Sequence, residues 1–357
     1  MPRKSGDPTK SETKGELRGV SLKELASHLG LSTTSLSLVL NDAPAANSIP
    51  QETKDRIFEA AQKFNSRPNY FAKSLRAQRS YTIGVLVPEL SDGYSAMVLN
   101  GVEAVLAREG YFYLISSHLH RDDLLEKHPL MLLERRVEAI IAVDTPIRFG
   151  SETPVVSVSG HDPKAGVTNV VLNHQHAAEL GVGHLFTLGH RKLAFIKGQD
   201  FSSDTEVRWE TIRQAAEKRG IKIEENLISQ LEGDIPSPEI GYSAMKKILS
   251  KTRDFTAVFA FNDISAIGAI RALREAGLEV PDDVSVLGFD DIYAAAFHNP
   301  ALTTIRQPLF EMGQLAAKTV LKQLAENSRP ENEELPQTLT VEPELVIRNS
   351  TAAVRKR

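Results

Sequence analysis

Beyond residue 80 the sequence repeats one pattern, a short apolar run followed by an amphipathic segment of helical length. The apolar runs predict strands at 82–87, 112–116, 138–143, 154–158, 192–196, 256–261 and 284–289. Strands that alternate with helices are joined by crossover connections, so they form parallel sheets flanked by helices. Because roughly 270 residues are many for one such sheet, we expect two α/β lobes with a cleft between them.

Residues 18–64 carry a different pattern, which predicts an all-α helix-turn-helix unit. Ser21 begins a capping box, and the apolar residues that follow it share one helical face. Gly30 suits the left-handed turn after this helix. A second helix is expected to end near Leu40 and a third near Phe64. Two short helices joined through a glycine turn and supported by a third are the helix-turn-helix layout.

Composition and pattern together divide the chain into five segments. A polar tail at 1–17 is expected to be disordered. The helix-turn-helix unit at 18–64 is followed by a linker with one short helical segment at 65–80. The two-lobed core spans 81–349, and a short tail is expected at 350–357.

The charge is unevenly distributed between the two ends. Residues 1–80 contain 13 Lys and Arg against 8 Asp and Glu, a net of +5, and the remainder contains 29 against 38, a net of −9. A basic unit on an acidic body indicates a polyanionic partner at the basic end. A solvated basic surface without a partner is the alternative.

Several classes of protein are disfavoured by features that the sequence lacks. It contains no cysteine, which excludes disulfides, thiolate metal sites and a cysteine nucleophile. No secretory h-region and no apolar run long enough for a membrane span occur, so we expect a cytoplasmic protein without membrane contact. The ten histidines have no metal-binding spacing, and no nucleophile-elbow or phosphate-loop motif is present. We therefore expect no metal, no cofactor and no catalytic residue.

Five segments carry a resemblance to one family. VSLKELASHLGLSTTSLSLVLN (20–41) resembles the DNA-binding headpiece of the LacI/GalR family of bacterial repressors, and RPNYFAKSL (67–75) resembles its hinge helix. Further matches lie at 173–198, 261–291 and 300–308. The resemblance covers about 19–348. It implies a homodimeric repressor of double-stranded operator DNA, with a periplasmic-binding-protein-like core that senses a small-molecule effector.

The resemblance also implies which residues contact DNA. They are Ser21, Leu22, Ser32, Thr33, Thr34, Ser37, Leu38, Asn41, Asn69 and Leu75. Leu38 departs from the family, where arginine is common at this position. It either contacts a thymine methyl group and changes the operator preference, or it only packs within the headpiece. Leu75 matches the leucine that the family inserts into the minor groove, and packing within the core is the alternative.

The effector-contacting residues implied by the resemblance are Tyr94, Ser95, Asn173, His176, Arg208, Asn262 and Asp290. Arg208 is suited to clamp hydroxyls or a carboxylate, and Asp290 to accept hydrogen bonds. Helix capping is the alternative for Asn262 and Asp290, and a surface ion pair is the alternative for Arg208. A sugar-like effector is mildly preferred. Two other functions remain as alternatives to a repressor: a solute-binding protein without DNA affinity, and an enzyme on the same scaffold.

Overall fold

A computed structural model describes residues 20–40, 44–64, 79–90, 93–150, 152–161, 166–234, 237–326 and 337–355. The chain divides into two compact units, Met1–Arg79 and Ser80–Arg357. The predicted disordered tail and residues 65–78 of the predicted linker lie outside the described residues. In the parts of the chain just given, no helix is long and apolar enough to cross a membrane.

The first unit is a three-helix headpiece. Its helices are α1 (Leu22–Leu29), α2 (Thr33–Leu40) and α3 (Gln51–Lys63), with a short 3-10 helix at Pro44–Ser48. Ser21 Oγ accepts a hydrogen bond from the Glu24 amide at 3.3 Å, and the Glu24 carboxylate accepts one from the Ser21 amide at 2.8 Å. Gly30 follows α1 with a φ of 66°, in the left-handed region. The predicted capping box and glycine turn are therefore confirmed.

The headpiece has its own small core. Seven buried residues form it: Leu25, Ala26, Leu36, Val39, Ala46, Ile57 and Ala60. They come from all three helices and from the 3-10 helix between α2 and α3. Because each helix is short and marginal alone, burial of this shared apolar face holds the headpiece together.

The second unit alternates strands and helices. Its strands are β1 (Thr82–Val87), β2 (Phe112–Ser117), β3 (Ala139–Val143), β4 (Val155–Val158), β5 (Val167–Leu172), β6 (Leu193–Lys197), β7 (Ile228–Gln230), β8 (Ala257–Ala260), β9 (Ser285–Asp290), β10 (Thr303–Arg306), β11 (Thr338–Val341) and β12 (Glu344–Val346). Its helices are α4 (Gly93–Arg108), α5 (Asp122–Glu134), α6 (His174–Thr187), α7 (Asp204–Glu217), α8 (Pro238–Lys251), α9 (Asp263–Glu275), α10 (Tyr293–Phe297) and α11 (Leu309–Glu326). A further 3-10 helix spans Glu225–Leu227.

The strands form two six-stranded sheets, one in each lobe. The first has the order β11-β5-β4-β3-β1-β2, with every pair of neighbours parallel. The second has the order β12-β10-β9-β8-β6-β7, and only β12 runs antiparallel to its neighbour. The predicted architecture of parallel sheets flanked by helices in two lobes is confirmed.

Each sheet is covered by helices on both faces. In β1, Ile83, Val85 and Val87 belong to the apolar cluster that includes α4 and α11. Leu86 belongs instead to the cluster with Leu132 of α5. Successive side chains of a strand point to opposite faces, so a strand buried on both sides has the continuous apolar run seen in the sequence.

The chain crosses between the lobes at three places. It leaves the first lobe between β5 and α6, returns between β10 and α11, and crosses again between β11 and β12. The carboxyl ends of β1, β3, β6, β8 and β9 therefore border a common crevice, which is where open α/β folds bind ligands.

The chain beyond residue 349 stays on the second lobe. Ser350 is fully buried, and its hydroxyl donates to the Val286 carbonyl at 2.6 Å and accepts from the Thr303 amide at 2.8 Å. The Val354 amide donates to the Leu188 carbonyl at 2.9 Å. The segment predicted as a tail at 350–357 therefore begins, up to Arg355, with residues whose polar groups pair with the edge of the lobe.

Candidate functional site

The cleft between the two lobes is lined mainly by acids and aromatic rings. It encloses about 560 Å³, its solvent-open mouth included. The acidic lining residues are Glu89, Asp144, Asp204, Asp234 and Asp290, and the aromatic ones are Tyr94, Phe201 and Phe261. Arg208, His120, Gln199 and Asn262 contribute nitrogen-bearing side chains. A crevice with this polar and aromatic lining, at the carboxyl ends of parallel strands, is where open α/β folds bind small ligands.

Arg208 lies at the floor of the cleft, in α7, and is 3% exposed. Its guanidinium donates to Asp204 Oδ2 at 2.8 Å and to the Phe261 carbonyl at 2.7 Å. A third contact, to Asp290 Oδ1, measures 3.9 Å. The group also lies 3.8 Å from the centroid of the Phe289 ring. The alternative of a surface ion pair is therefore wrong. Two of the five N–H donors of Arg208 are bonded within the protein, and its Nε is buried without a hydrogen-bond partner.

Asp204 is held between three nitrogen donors. His161 Nε2 lies 2.6 Å and His174 Nε2 3.2 Å from its Oδ1, and Arg208 binds the other oxygen. Burial alone would raise the pKa of Asp204, but His174, His161 and Arg208 together hold it well below its usual range. Asp204 is therefore a buried carboxylate that stays ionised.

Three groups of contacts cross from one lobe to the other. The amide and hydroxyl of Ser203, on the second lobe, donate to Asp144 Oδ1 on the first at 3.3 and 2.8 Å. His161 of the first lobe reaches Asp204 of the second. The rings of His120 and Phe201 face each other across the cleft with centroids 3.8 Å apart. A movement of one lobe relative to the other would break these contacts.

Asp290 ends β9 with a φ of 108° and accepts from Gln307 Nε2 at 2.6 Å. Asn262 lines the cleft and also caps α9, accepting from the Ser265 amide at 2.9 Å. The capping alternative thus describes one of the roles of Asn262. Tyr94 lines the cleft as well, and its hydroxyl pairs with Ser159 Oγ at 2.5 Å.

Three predicted effector residues do not line the cleft. Ser95 is fully buried in α4. Asn173 caps α6 and donates to Glu342, and His176 pairs with Glu342 at 2.8 Å on the surface. The chain crosses between the lobes both at Asn173 and near Glu342. Asn173 and His176 therefore pair with Glu342 and do not face the crevice.

Sequence reasoning missed part of the cleft. His120, Asp144, Phe201 and Asp204 are lining residues that it did not single out. One signal was available: Asp144 directly follows the apolar run of β3, and Asp204 precedes Arg208 by one helical turn. Phe201 and His120 lie in loops, where no periodicity marks a residue.

The headpiece presents part of the predicted DNA-binding set at its surface. Ser21, Ser32, Thr33 and Thr34 are exposed, whereas Leu22, Ser37 and Leu38 are half-buried. Leu38 packs against the headpiece core. Three other predicted DNA contacts, Asn41, Asn69 and Leu75, lie outside the described residues.

The expectation of no metal site rested on spacing along the chain. The fold brings His161, His174 and Asp204 together from three separate segments, with potential ligand atoms within 4.8 Å of one another. Linear spacing does not detect such a group, because its members meet only where the two lobes touch.

Comparison with known proteins identifies the family. Residues 182–351 match the family described as periplasmic binding protein-like domain. The HTH-type transcriptional repressor PurR of Pasteurella multocida (strain Pm70) is 32% identical over 339 residues, which cover 92% of this chain and 98% of the relative. PurR of Haemophilus influenzae (strain ATCC 51907 / DSM 11121 / KW20 / Rd) is 30% identical over 343 residues, 93% and 99% of the two chains. This chain belongs to the LacI/GalR family.

Solved structures agree with this assignment at the level of the fold. The lac repressor dimer bound to operator and the anti-inducer ONPF has a TM-score of 0.80 at 24% identity, covering 94% of this chain and all of the other. A LacI family regulator from Enterococcus faecium with bound ribose has a TM-score of 0.66 at 26% identity, covering 77% of this chain and all of the other. This LacI/GalR member is a transcriptional regulator with a ligand-binding domain, and it is not an enzyme.

Proposed function

We propose that this LacI/GalR member is a cytoplasmic repressor that binds a roughly palindromic operator as a homodimer and lies on the nucleoid while bound. A small molecule in the interlobe cleft would switch it. The observation that carries the proposal is the set of lobe-to-lobe contacts around the cleft, at Asp144, His161 and Phe201. A ligand that rearranges them changes the lobe arrangement and can thereby change affinity for DNA.

The headpiece supports recognition in the major groove. The exposed hydroxyls of Ser32, Thr33 and Thr34 lie at the beginning of α2, the second helix of the helix-turn-helix. Residues at the N-terminal end of this helix contact base edges in proteins of this layout. Asn41, Asn69 and Leu75 remain proposed contacts by resemblance, with Leu75 as the minor-groove wedge.

The chemistry of the cleft favours a neutral polyhydroxylated effector. Its carboxylates accept hydrogen bonds from hydroxyl groups, and its aromatic rings offer apolar contact surfaces. The charge of Arg208 is already paired with Asp204, which favours a neutral ligand over an anion. A LacI family regulator of this fold described with bound ribose supports a sugar-like ligand. Tyr94, Arg208, Asn262 and Asp290 are the proposed effector contacts.

Selection of bound fragments from genomic DNA by the purified full-length protein tests the proposal. We expect a short palindrome whose affinity falls steeply with salt, because phosphate contacts release counterions. When the selection is repeated with one sugar added at a time, the sugar that is the effector should change the amount of palindromic DNA recovered. Salt-independent or sequence-independent recovery under all conditions would overturn the proposal.

Leu38→Arg should move the base preference toward guanine. Arginine forms a bidentate pair with guanine worth about 1–3 kcal/mol of discrimination, and leucine cannot. The measurement is the selected consensus of the variant against that of the parent. Gln62→Arg, on an exposed position of α3, adds the same charge and should leave the consensus unchanged. An unchanged consensus for Leu38→Arg would show that residue 38 does not face a base.

An exposed aromatic groove, lined by residues of both lobes, supports the homodimer. Tyr293, Phe297 and Phe310 line it and are 72%, 88% and 39% exposed. Exposed apolar patches of this kind mark interaction sites. Phe297→Glu should shift the protein from dimer toward monomer in sedimentation at micromolar concentration. Leu130→Glu is the control, because Leu130 of α5 is 54% exposed and lies outside the groove, and this variant should remain dimeric. If the two variants behave equally, the groove is not part of the dimer interface.

A further inference from the structure

Three potential metal ligands from three segments meet where the lobes touch. His161 follows β4 in the first lobe, His174 begins α6 and Asp204 begins α7 in the second. Their ligand atoms all lie within 4.8 Å of one another. Within the described ranges, no other group of three histidine or acidic residues is gathered this closely.

The three side chains are directed at one another and are shielded from water. Both histidines point Nε2 at Oδ1 of Asp204, and the side chains are 20%, 3% and 6% exposed in chain order. Nε2 of each histidine therefore faces the position that an ion between the three side chains would occupy.

The charge around the group favours a cation. Asp204, Asp144 and Asp290 all act on Tyr94, whose pKa is raised first by burial and then by these carboxylates. Arg208 pairs with two of them, Asp204 and Asp290. Three carboxylates and one guanidinium leave an excess of two negative charges.

We propose that His161, His174 and Asp204 bind a divalent transition-metal ion of the zinc class, with its fourth position open to the cleft. Two imidazole nitrogens and one carboxylate oxygen are a donor set that zinc accepts with an open position. Calcium and magnesium prefer all-oxygen sites. Tetrahedral bonds of about 2 Å separate ligands by about 3.3 Å, so His161 moves less than about 1 Å from its present 2.6 Å contact.

The ion would connect the two lobes. His161 belongs to the first lobe and Asp204 to the second, so coordination replaces a single hydrogen bond with two metal–ligand bonds across the cleft. Bound metal therefore stabilises the lobe arrangement described here. This inference concerns a separate ligand and goes beyond the proposed response to an organic effector.

Full-length protein without a polyhistidine tag tests the site by titration with zinc chloride and, separately, with cobalt(II) chloride. We expect one ion per chain, a rise in melting temperature and intense visible absorption typical of four-coordinate cobalt. His161→Ala and His174→Ala should each weaken zinc binding by on the order of 100-fold or more. His176→Ala is the matched control, because His176 is exposed and pairs with Glu342 instead, and it should bind zinc like the parent.

Two results would overturn the site. One is a folded parent protein that binds neither zinc nor cobalt, and the other is zinc affinity that both ligand variants retain. If His174→Ala does not fold, His161→Ala decides, since His161 lies in a partly exposed loop. DNA binding by the metal-free parent is measured in parallel, so failure of the metal site and failure of the repressor proposal give different results.

Discussion

Arg208→Ala is expected to lower the free energy of unfolding of the second unit by about 3–5 kcal/mol, the usual cost of removing one partner of a buried ion pair. The guanidinium donates to Asp204 at 2.8 Å and to the Phe261 carbonyl at 2.7 Å. Alanine leaves the Asp204 carboxylate with less compensation in a buried site. It also leaves a void beside the Phe289 ring, which the guanidinium now contacts.

Urea unfolding followed by tryptophan fluorescence measures this loss, since Trp209 is the single tryptophan and packs edge-on against Phe195. Arg213→Ala is the matched control on the same helix. Arg213 pairs with Glu210 at the surface, so its removal should lower the free energy of unfolding far less than the removal of Arg208. If Arg208→Ala and Arg213→Ala lower the free energy of unfolding by similar amounts, the buried contacts of Arg208 do not stabilise the second unit as proposed.

A second substitution distinguishes the contribution of the Arg208–Asp204 ion pair from that of the packing contacts of Arg208. Asp204→Asn removes the charge that Arg208→Ala leaves exposed to the apolar interior. The double variant should therefore be more stable than the sum of the two single losses predicts, because residues in contact are not independent. Additive losses would show that Arg208 acts through its ring contacts and not through Asp204. The effector response should be lost in all three variants.

Asp263→Ala is expected to cost about 2–6 kcal/mol, because it leaves two buried donors unpaired at about 1–3 kcal/mol each. Asp263 is fully buried; its Oδ1 accepts from Thr304 Oγ1 at 2.6 Å and its Oδ2 from the Ile292 amide at 2.9 Å. These contacts hold the turn after β9, next to Asp290 in the cleft. Ligand binding should weaken together with stability.

Asp263→Asn should instead change the pH dependence. Burial, and then repulsion from Asp290, raise the pKa of Asp263 well above its usual value, against the opposing bonds from Thr304 and Ile292. A raised folded-state pKa means that the folded protein favours the protonated acid. The contribution of Asp263 to the free energy of unfolding is therefore fully present below its unfolded-state pKa of about 3.9. It declines as the pH rises through the folded-state pKa.

Asparagine keeps an acceptor and cannot ionise, so the variant lacks this decline. Urea unfolding at a series of pH values from acid to neutral should show the parent losing stability relative to Asp263→Asn as pH rises. Asp282→Asn is the control for general charge, because Asp282 is 58% exposed and pairs with Arg355 at the surface. A constant difference between parent and Asp263→Asn across this range would contradict the assignment.

Much of the architecture follows from local pattern. The strand predicted at 82–87 is β1 without change, and the other six predicted strands overlap β2, β3, β4, β6, β8 and β9. Strands buried on both faces must be apolar throughout, and this requirement is visible in one sequence. Strands β5, β7, β10 and β12 were not among the predicted strands. β7 and β12 have three residues each, and they exist because a neighbouring strand offers hydrogen-bond partners.

The site was less accessible to the same reasoning. Tyr94, Arg208, Asn262 and Asp290 do line the cleft, and the resemblance to the family located them. Asn173 and His176 do not, because Glu342, distant in sequence, engages both. A side chain of suitable chemistry near a strand end is only a candidate until its partners are known.

The sequence by itself determined the helix-turn-helix, the two-lobed alternation of strands and helices, and the family. Each depends on periodicity, capping and local motifs, which act over a few residues. Tertiary structure decided which polar groups share a site. Asp204, which the sequence did not mark as a site residue, contacts His161, His174 and Arg208. These contacts form because crossovers between the lobes bring distant segments together. These partners hold the pKa of Asp204 well below its usual range despite burial, and the contacts exist only in the folded chain.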